Sequence, residues 1–139
     1  MFEILVALGS LKETCRKLKF RCGFEQVSVS NQAACALDSD GSIECWGTDS
    51  SKIVANVPSG SGYTNISLND AYAVACAVND GGGLECWGSN SDLNALDDST
   101  YPIPTETDFI SVEVNQEFAC GLTEGGAIRC FGNDTNQVV

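Results

Sequence analysis

The stretch CALDSDGSIECWG, which runs from Cys35 to Gly47, occurs three times in this chain. It returns as CAVNDGGGLECWG at residues 76–88 and as CGLTEGGAIRCFG at residues 120–132. The copies start 41 and then 44 residues apart. A fixed period of this size is the sequence signature of a repeat architecture, so we expect one structural unit to be used three times.

Each copy predicts a β-hairpin. Pairing Cys35 with Cys45 leaves a three-residue loop, SDG at 39–41, in the middle of the stretch. Loops of this length commonly use a type I turn followed by a residue with positive φ, which is usually glycine. The same register puts a glycine at that position in every copy, namely Gly41, Gly82 and Gly126.

The paired strands also predict a common face, because alternate side chains of a strand point to the same side. In every copy this face carries both cysteines and two large aliphatic residues. Its members are Cys35, Leu37, Ile43 and Cys45; then Cys76, Val78, Leu84 and Cys86; then Cys120, Leu122, Ile128 and Cys130.

Six of the eight cysteines therefore stand directly opposite each other in pairs, within the distance that a disulfide spans. Closing so short a loop stabilises by roughly 2–3 kcal/mol in the chain-entropy treatment. Three disulfides indicate an oxidising, extracellular or cell-surface location. Metal-bound or free thiols are the alternative, although zinc sites favour shorter spacings and the chain has no histidine. The remaining cysteines, Cys15 and Cys22, could pair with each other.

Residues 1–23 lie outside the repeat. Their apolar residues have helical spacing, and the basic residues near the end suit a helix C-terminus. We therefore expect a short amphipathic helix. A secretory signal is a poor alternative, because Glu3 precedes a short apolar run without a small-residue cleavage site. The other alternative is an upstream segment joined to a partial reading frame.

Three units are expected, at about residues 24–62, 63–108 and 109–139. Each opens on an aromatic residue and a strand such as FEQVSVS, and then forms the hairpin. KIVANVP at 52–58 predicts a weak fourth strand, and PIP at 102–104 an edge-like segment. About four short strands per 40-odd residues are typical of a propeller blade. The predicted fold is all-β: a partial β-propeller of three blades of short antiparallel strands, preceded by a short helical segment.

The repeated motif, the upstream VSV strand and the downstream polar loop resemble the repeats of the regulator of chromosome condensation family over residues 24–139. The double-cysteine form resembles its secreted and cell-surface branch. The resemblance implies a seven-bladed propeller and a binding function, such as nucleotide exchange on a small GTPase, enzyme inhibition or a receptor ectodomain. This chain lacks the family's Gly-Gly-x-His pattern before the hairpin. Because a ring usually needs about four blades or more, we expect a fragment of a longer repeat protein or, failing that, self-association.

Composition excludes several functions. A net charge of −12 disfavours nucleic acid and anionic membranes as partners. The sequence has no apolar run near 18 residues, which predicts no membrane insertion. Without histidine, catalytic triads and histidine-based metal sites are out, and no glycine-rich phosphate loop is present. We predict no enzyme activity, no cofactor and no metal.

The carboxylates are mostly explained by other roles. Asp38 and Asp40 resemble the start of a calcium loop but lack its later ligands, so turn chemistry is favoured. The side chains of Asp92, Asp97 and Asp98 could bind a cation or simply be solvated. Glu44, Glu85 and Arg129 are equivalent and could form salt bridges between blades or line a channel. Trp46, Trp87 and Phe131 are equivalent too, and packing between blades is favoured over a sugar-binding platform.

The leading hypothesis is an extracellular protein-binding module with a protein partner, which the acidic surface suggests is basic. Loops on a rigid scaffold commonly bind partners. The candidate residues recur at one place in each blade: Asn31, Gln32, Asn69, Asp70, Tyr72, Asn115, Gln116 and Glu117. Glycosylation sequons stand at Asn133 and Asn65. The alternatives are a carboxylate-based carbohydrate hydrolase and a structural adhesion repeat array.

Overall fold

The computed structural model describes residues 22–48, 52–69, 74–89, 102–115 and 117–133. In these ranges nine strands form three separate antiparallel sheets, which we call blades 1, 2 and 3. Blade 1 contains β1 (Phe24–Val29), β2 (Ala33–Asp38) and β3 (Ile43–Gly47). Blade 2 contains β4 (Tyr63–Asn69), β5 (Val74–Asn79) and β6 (Leu84–Gly88). Blade 3 contains β7 (Phe109–Val114), β8 (Phe118–Thr123) and β9 (Ile128–Gly132).

Each sheet lies inside one of the three predicted repeats, while the boundaries between repeats stay a prediction. The predicted N-terminal helix lies outside the described residues. In the part of the chain that the structure describes, no helix is long and apolar enough to cross a membrane.

The predicted hairpin register is confirmed in all three blades. Cys35 pairs with Cys45 and Leu37 with Ile43, and the other two hairpins repeat this register. The amide of Asp38 donates to the carbonyl of Ser42 at 2.9 Å, which closes the three-residue loop. The glycine at its end has the expected positive φ in every copy: +80° at Gly41, +75° at Gly82 and +81° at Gly126.

The three predicted disulfides of the hairpins are present: Cys35–Cys45, Cys76–Cys86 and Cys120–Cys130. Their Cα atoms lie 4.0–4.1 Å apart, somewhat closer than the roughly 4.5 Å of directly opposed, non-hydrogen-bonded residues on neighbouring strands. Cys22 is disulfide-bonded as well. Its predicted partner, Cys15, lies outside the described residues.

The predicted fourth strand of blade 1 is wrong, because residues 52–56 form a bend and turns instead. Ile53 is fully buried there, and its carbonyl accepts a hydrogen bond from the indole of Trp87 at 3.0 Å. The side chain of Asn56 donates to the carbonyl of Gly88 at 2.9 Å. The segment thus packs on the last strand of blade 2 rather than pairing with β3. Residues 102–104 form no strand either.

The hydrophobic cores lie between the sheets. Between blades 1 and 2, Leu37 and Ile43 pack with Ile66, Leu68 and other apolar residues. Between blades 2 and 3, a matching cluster gathers around Val78. The predicted packing role of the hairpin aromatics is confirmed for Trp87 and Phe131, which are buried in these two clusters. In blades 1 and 2 the cysteine-bearing face of the hairpin therefore packs against the following blade.

Candidate functional site

Each blade has two ends with different connections. At the loop end, a short connection joins the first strand to the second, as at residues 30–32 and 115–117. At the turn end lie the hairpin turns, such as residues 39–41, together with the beginnings of β4 and β7. Because neighbouring strands are antiparallel, these two sets of connections lie at opposite ends of each sheet.

Five of the eight predicted partner-binding residues are described, and they lie at the loop end. Asn31, Gln32 and Asn115 are exposed, and Asn69 and Glu117 are half-buried. Asp70, Tyr72 and Gln116 lie outside the described residues. Binding of a partner by these eight side chains stays a prediction.

Hydrogen bonds hold the loop end in place. The hydroxyl of Ser30 donates to the carbonyl of Ala33 at 2.8 Å and accepts from its amide at 3.1 Å. The amide of Thr48 donates to the carbonyl of Gln32, which ties the first loop to the residue after β3. In blade 3, Asn133 and Glu117 repeat this last contact at 2.8 Å. The loops thus present polar side chains from a fixed backbone.

At the turn end, two clefts separate the turns of consecutive blades. The first has a volume of about 300 Å³ and is lined by the turn of blade 1, the start of β4 and Asp80. The second, of about 380 Å³, is lined by the turn of blade 2, the start of β7 and Glu124. Among the residues that the structure describes, neither cleft has a basic residue in its lining. Their acidic residues are Glu25, Asp38, Asp40, Asp80, Asp108 and Glu124.

The sequence predicts each turn, but it does not predict the clefts between the turns. Asp80 and Glu124 occupy equivalent turn positions, which was the available signal. What brings the turns together is the stacking of the blades: the amide of Tyr63 donates to the carbonyl of Gly41 at 2.9 Å, and that of Phe109 to Gly82 at 3.0 Å.

The predicted turn role of the hairpin carboxylates is confirmed. A side-chain oxygen of Asp40 accepts from the amide and the hydroxyl of Ser42, at 2.9 and 2.7 Å. In blade 2 the side chain of Asn79 accepts from the amides of Gly81 and Gly83. Among the described residues, no group of three side chains suited to a metal comes together. Asp92, Asp97 and Asp98 lie outside those residues.

Glu85 takes part in a contact within its own blade rather than in a salt bridge between blades. It accepts a hydrogen bond from the hydroxyl of Tyr63 at 2.5 Å. Burial of the phenol, followed by this carboxylate, raises the pKa of Tyr63 to about 12. Tyr63 is therefore protonated at neutral pH and serves as a donor.

The two sequons lie in different surroundings. The side-chain oxygen of Asn65 accepts from the amide of Val112 at 2.8 Å, and its nitrogen donates to Gln26 at 3.4 Å. Asn65 thus has a structural role between blades. Asn133 directly follows β9 at the loop end and is half-buried. Glycosylation at either position stays a prediction.

Comparison with known proteins adds evidence on the fold. No protein-family model matches the chain, and no curated protein matches its sequence. Among solved structures, the ectodomain of the receptor kinase CR4 from Physcomitrella patens is similar over 81% of this chain, with 21% identity and a TM-score of 0.65. Human WBSCR16 is similar over 78%, with 16% identity and a TM-score of 0.59. Prp20p from Saccharomyces cerevisiae is similar over 79%, with 16% identity and a TM-score of 0.55.

The chain spans about a third of the length of these proteins, 30% of the CR4 ectodomain, 33% of WBSCR16 and 32% of Prp20p. A further solved structure names Prp20 as the yeast form of RCC1. At these identities the likeness concerns the fold. The three sheets are three blades of a β-propeller of the kind found in the regulator of chromosome condensation repeat proteins.

Proposed function

We propose that this chain is an extracellular protein-binding module, built from propeller blades that belong to a larger ring. The observation that carries the proposal is the exposure of polar residues at the loop end of two disulfide-stapled blades, Asn31 and Gln32 in blade 1 and Asn115 in blade 3. Loops positioned by a rigid scaffold are the usual place for recognition. The proposed contact residues are the eight predicted from the sequence.

Two kinds of support come from the related folds. The structure of Prp20p was described with its binding to Gsp1p and histones, and that of CR4 is a receptor ectodomain. Because one fold hosts many functions, these are analogies rather than assignments. The extracellular location is supported by the three disulfides, which persist in oxidising compartments.

A basic partner is proposed from charge. The chain carries a net charge of −12, and the described lining of the two clefts at the turn end has acidic residues and no basic one. A field of one sign attracts a partner of the other sign and raises the association rate, most strongly at low ionic strength. The acidic charge of the chain, to which the clefts contribute, would raise the encounter rate at low ionic strength, while the specific contacts form at the opposite, loop end.

The chain's role is proposed to be binding without catalysis. A carboxylate-based glycosidase needs two carboxyl groups flanking one bond, one of them protonated. In the described residues, the carboxylate of Glu85 accepts a hydrogen bond from the hydroxyl of Tyr63. This contact is structural, since it joins the first and third strands of blade 2.

The proposal is tested by presenting the immobilised chain to extracellular proteins and measuring saturable binding of whatever is retained. The loop-end variant combines Asn31→Ala with Asn115→Ala. The matched turn-end variant combines Asp80→Asn with Glu124→Gln. We expect the first to reduce affinity about tenfold or more, and the second to slow association mainly at low salt. If only the turn-end variant loses binding, the loop-end assignment is wrong. If nothing binds saturably, the binding function is wrong.

A further inference from the structure

The contact between consecutive blades is one interface used twice. The side-chain oxygen of Gln26 accepts from the amide of Ile66 at 3.0 Å, and its nitrogen donates to the carbonyl of the same residue at 3.0 Å. In the next pair of blades, Asn65 takes the place of Gln26 and accepts from the amide of Val112 at 2.8 Å. This is the first rung of a ladder between first strands.

A second rung lies two residues further along. The hydroxyl of Ser28 accepts from the amide of Leu68 at 3.0 Å. One blade later, the hydroxyl of Ser67 accepts from the amide of Val114 at 3.1 Å. Blades 1 and 2 thus each offer side-chain acceptors to the backbone of the blade that follows, at two fixed positions.

An apolar contact accompanies the ladder. Leu37 and Ile43 of blade 1 are 4% and 9% exposed, because blade 2 covers them. Ile66, which lies on the covering face, is 1% exposed. In the second interface the corresponding residues Val78 and Val112 are 0% and 1% exposed.

The same positions are exposed at the two ends of the chain's row of blades. On blade 1, Val27 and Val29 correspond to the covered Ile66 and Leu68 and are 61% and 68% exposed. We call this surface the leading face. On blade 3, Leu122 and Ile128 correspond to Leu37 and Ile43 and are 37% and 67% exposed. We call that surface the trailing face.

The trailing face keeps the other parts of the interface too. Ser111 and Glu113 occupy the two rung positions of β7. The hairpin glycine provides a further comparison. A Cβ on Gly41 would lie 2.4 Å from the backbone nitrogen of Gly62 in blade 2, whereas a Cβ on Gly126 meets nothing within 4 Å. Among the described residues, none occupies here the place that an incoming first strand takes in the two existing interfaces.

We propose that a second copy of this chain docks its leading face onto the trailing face of the first. In that contact the hydroxyl of Ser111 accepts from the amide of Val27 of the second copy. The carboxylate of Glu113, which already accepts from Ser67, accepts from the amide of Val29 of the second copy. Leu122 and Ile128 are covered as Leu37 and Ile43 are.

Two copies joined in this way give six blades, within the range of about four to eight that propellers use. The contact is head-to-tail, so closure requires both junctions to form at once. A second copy of the chain fits the trailing face because its leading face would repeat an interface that the chain already makes twice. Closure would also remove both apolar sheet faces of each copy from water. The inference is independent of which partner the loop end binds.

Sedimentation equilibrium of the full chain tests the proposal. We expect a species of twice the 14.7 kDa mass. Val27→Asp alters the leading face alone and Ile128→Asp the trailing face alone, and each should weaken association about 100-fold, because a charge is buried in the contact. Both positions are exposed in the single chain, so folding should persist. The matched control is Ile110→Glu, which is 51% exposed and corresponds to the exposed Glu25 of blade 1.

Mixing the two weakened variants gives the decisive result. In a head-to-tail contact one junction of the mixed pair joins two unaltered faces, so dimers should reappear with at least roughly tenfold higher affinity than for either variant alone. Failure to recover dimers on mixing would overturn head-to-tail docking. An unaltered chain that stays monomeric up to about 100 μM, far above the Kd of stable interfaces, would overturn the proposal itself.

Discussion

Tyr63 and Glu85 are joined across the width of blade 2: the phenol of β4 donates to the carboxylate of β6 at 2.5 Å. The contact depends on a bulge in β4, where the register shifts between Tyr63 and Asn65. The same shift occurs in β1 and β7. An extra residue at this point bends the strand and re-aims the neighbouring side chain. In blade 2 the opening aromatic of the repeat is thereby bonded to the third strand of its own blade, while its side chain also belongs to the core between blades 1 and 2.

The first prediction concerns alkaline stability. The pKa of Tyr63 is raised to about 12 by burial and by Glu85, from an ordinary value of 10.0. Because the pKa of Tyr63 is higher in the folded than in the unfolded state, its protonated phenol stabilises the fold fully below about pH 10. This stabilisation is lost as the pH rises towards about 12. We expect the free energy of unfolding to fall over that window, by denaturant titration. In Tyr63→Phe this part of the decline should be absent.

Phe109 provides the control for that substitution, because phenylalanine already occupies the equivalent position in blade 3. The variant should therefore fold with its disulfides intact. Absorbance titration of the phenols should show one fewer high-pH transition in Tyr63→Phe. An unchanged titration would contradict the assignment of the raised pKa to Tyr63.

The second prediction concerns Gly121, on which the ring of Phe109 rests. A Cβ added to Gly121 would lie 2.5 Å from an edge atom of that ring. Gly121→Ala should therefore lower the free energy of unfolding by about 1–3 kcal/mol, as overpacking does. Gly125→Ala is the control, because its Cβ would meet only the hydroxyl of Thr123 at 3.9 Å. Equal unfolding midpoints for the two variants would contradict this packing.

The third prediction concerns the ladder between blades 1 and 2. Gln26→Ala removes the partner of both backbone groups of Ile66, a residue that is 1% exposed. A buried amide left without an acceptor costs about 1–3 kcal/mol. We expect that loss in denaturant unfolding, together with faster hydrogen exchange at the Ile66 amide.

Ser111→Ala serves as the matched control, because Ser111 holds the equivalent position on the trailing face. Measured at concentrations where the chain is monomeric, it should leave stability nearly unchanged. A loss as large as that of Gln26→Ala would mean that the first rung is not what stabilises the blade contact.

These contacts mark the limit of what the sequence could predict. The hairpins and disulfides depend on partners ten residues apart, such as Cys35 and Cys45. Turn chemistry and alternation decide such local pairings. The ladder joins residues 40 apart, as Gln26 and Ile66 show. Its polar side chains carry no periodic signal that distinguishes a ladder from a solvated edge.

The acidic clefts illustrate the same limit at the candidate site. The turn residue Asp80 could be predicted as such, but it lines both clefts only because consecutive blades stack at their turns. The predicted loop-end residues could be grouped from their equal positions in the repeat. The spacing of residues along the sequence does not indicate which of the two ends, the loop end or the turn end, contacts a partner.

The last prediction concerns the segment for which strand propensity was misleading. KIVANVP has the β-branched residues of a strand, yet Ile53 is buried beneath blade 2 and accepts the indole hydrogen of Trp87 at 3.0 Å. Trp87→Phe keeps an aromatic ring, as Phe131 does in blade 3, but leaves the carbonyl of Ile53 without that donor. We expect about 1–3 kcal/mol less stability, the penalty of an unsatisfied buried group plus the smaller ring. Thermal unfolding measures the effect. The control is Phe131→Leu, which reduces packing in blade 3 without removing a hydrogen bond. An unchanged Trp87→Phe melting temperature would show that the bond to Ile53 contributes nothing.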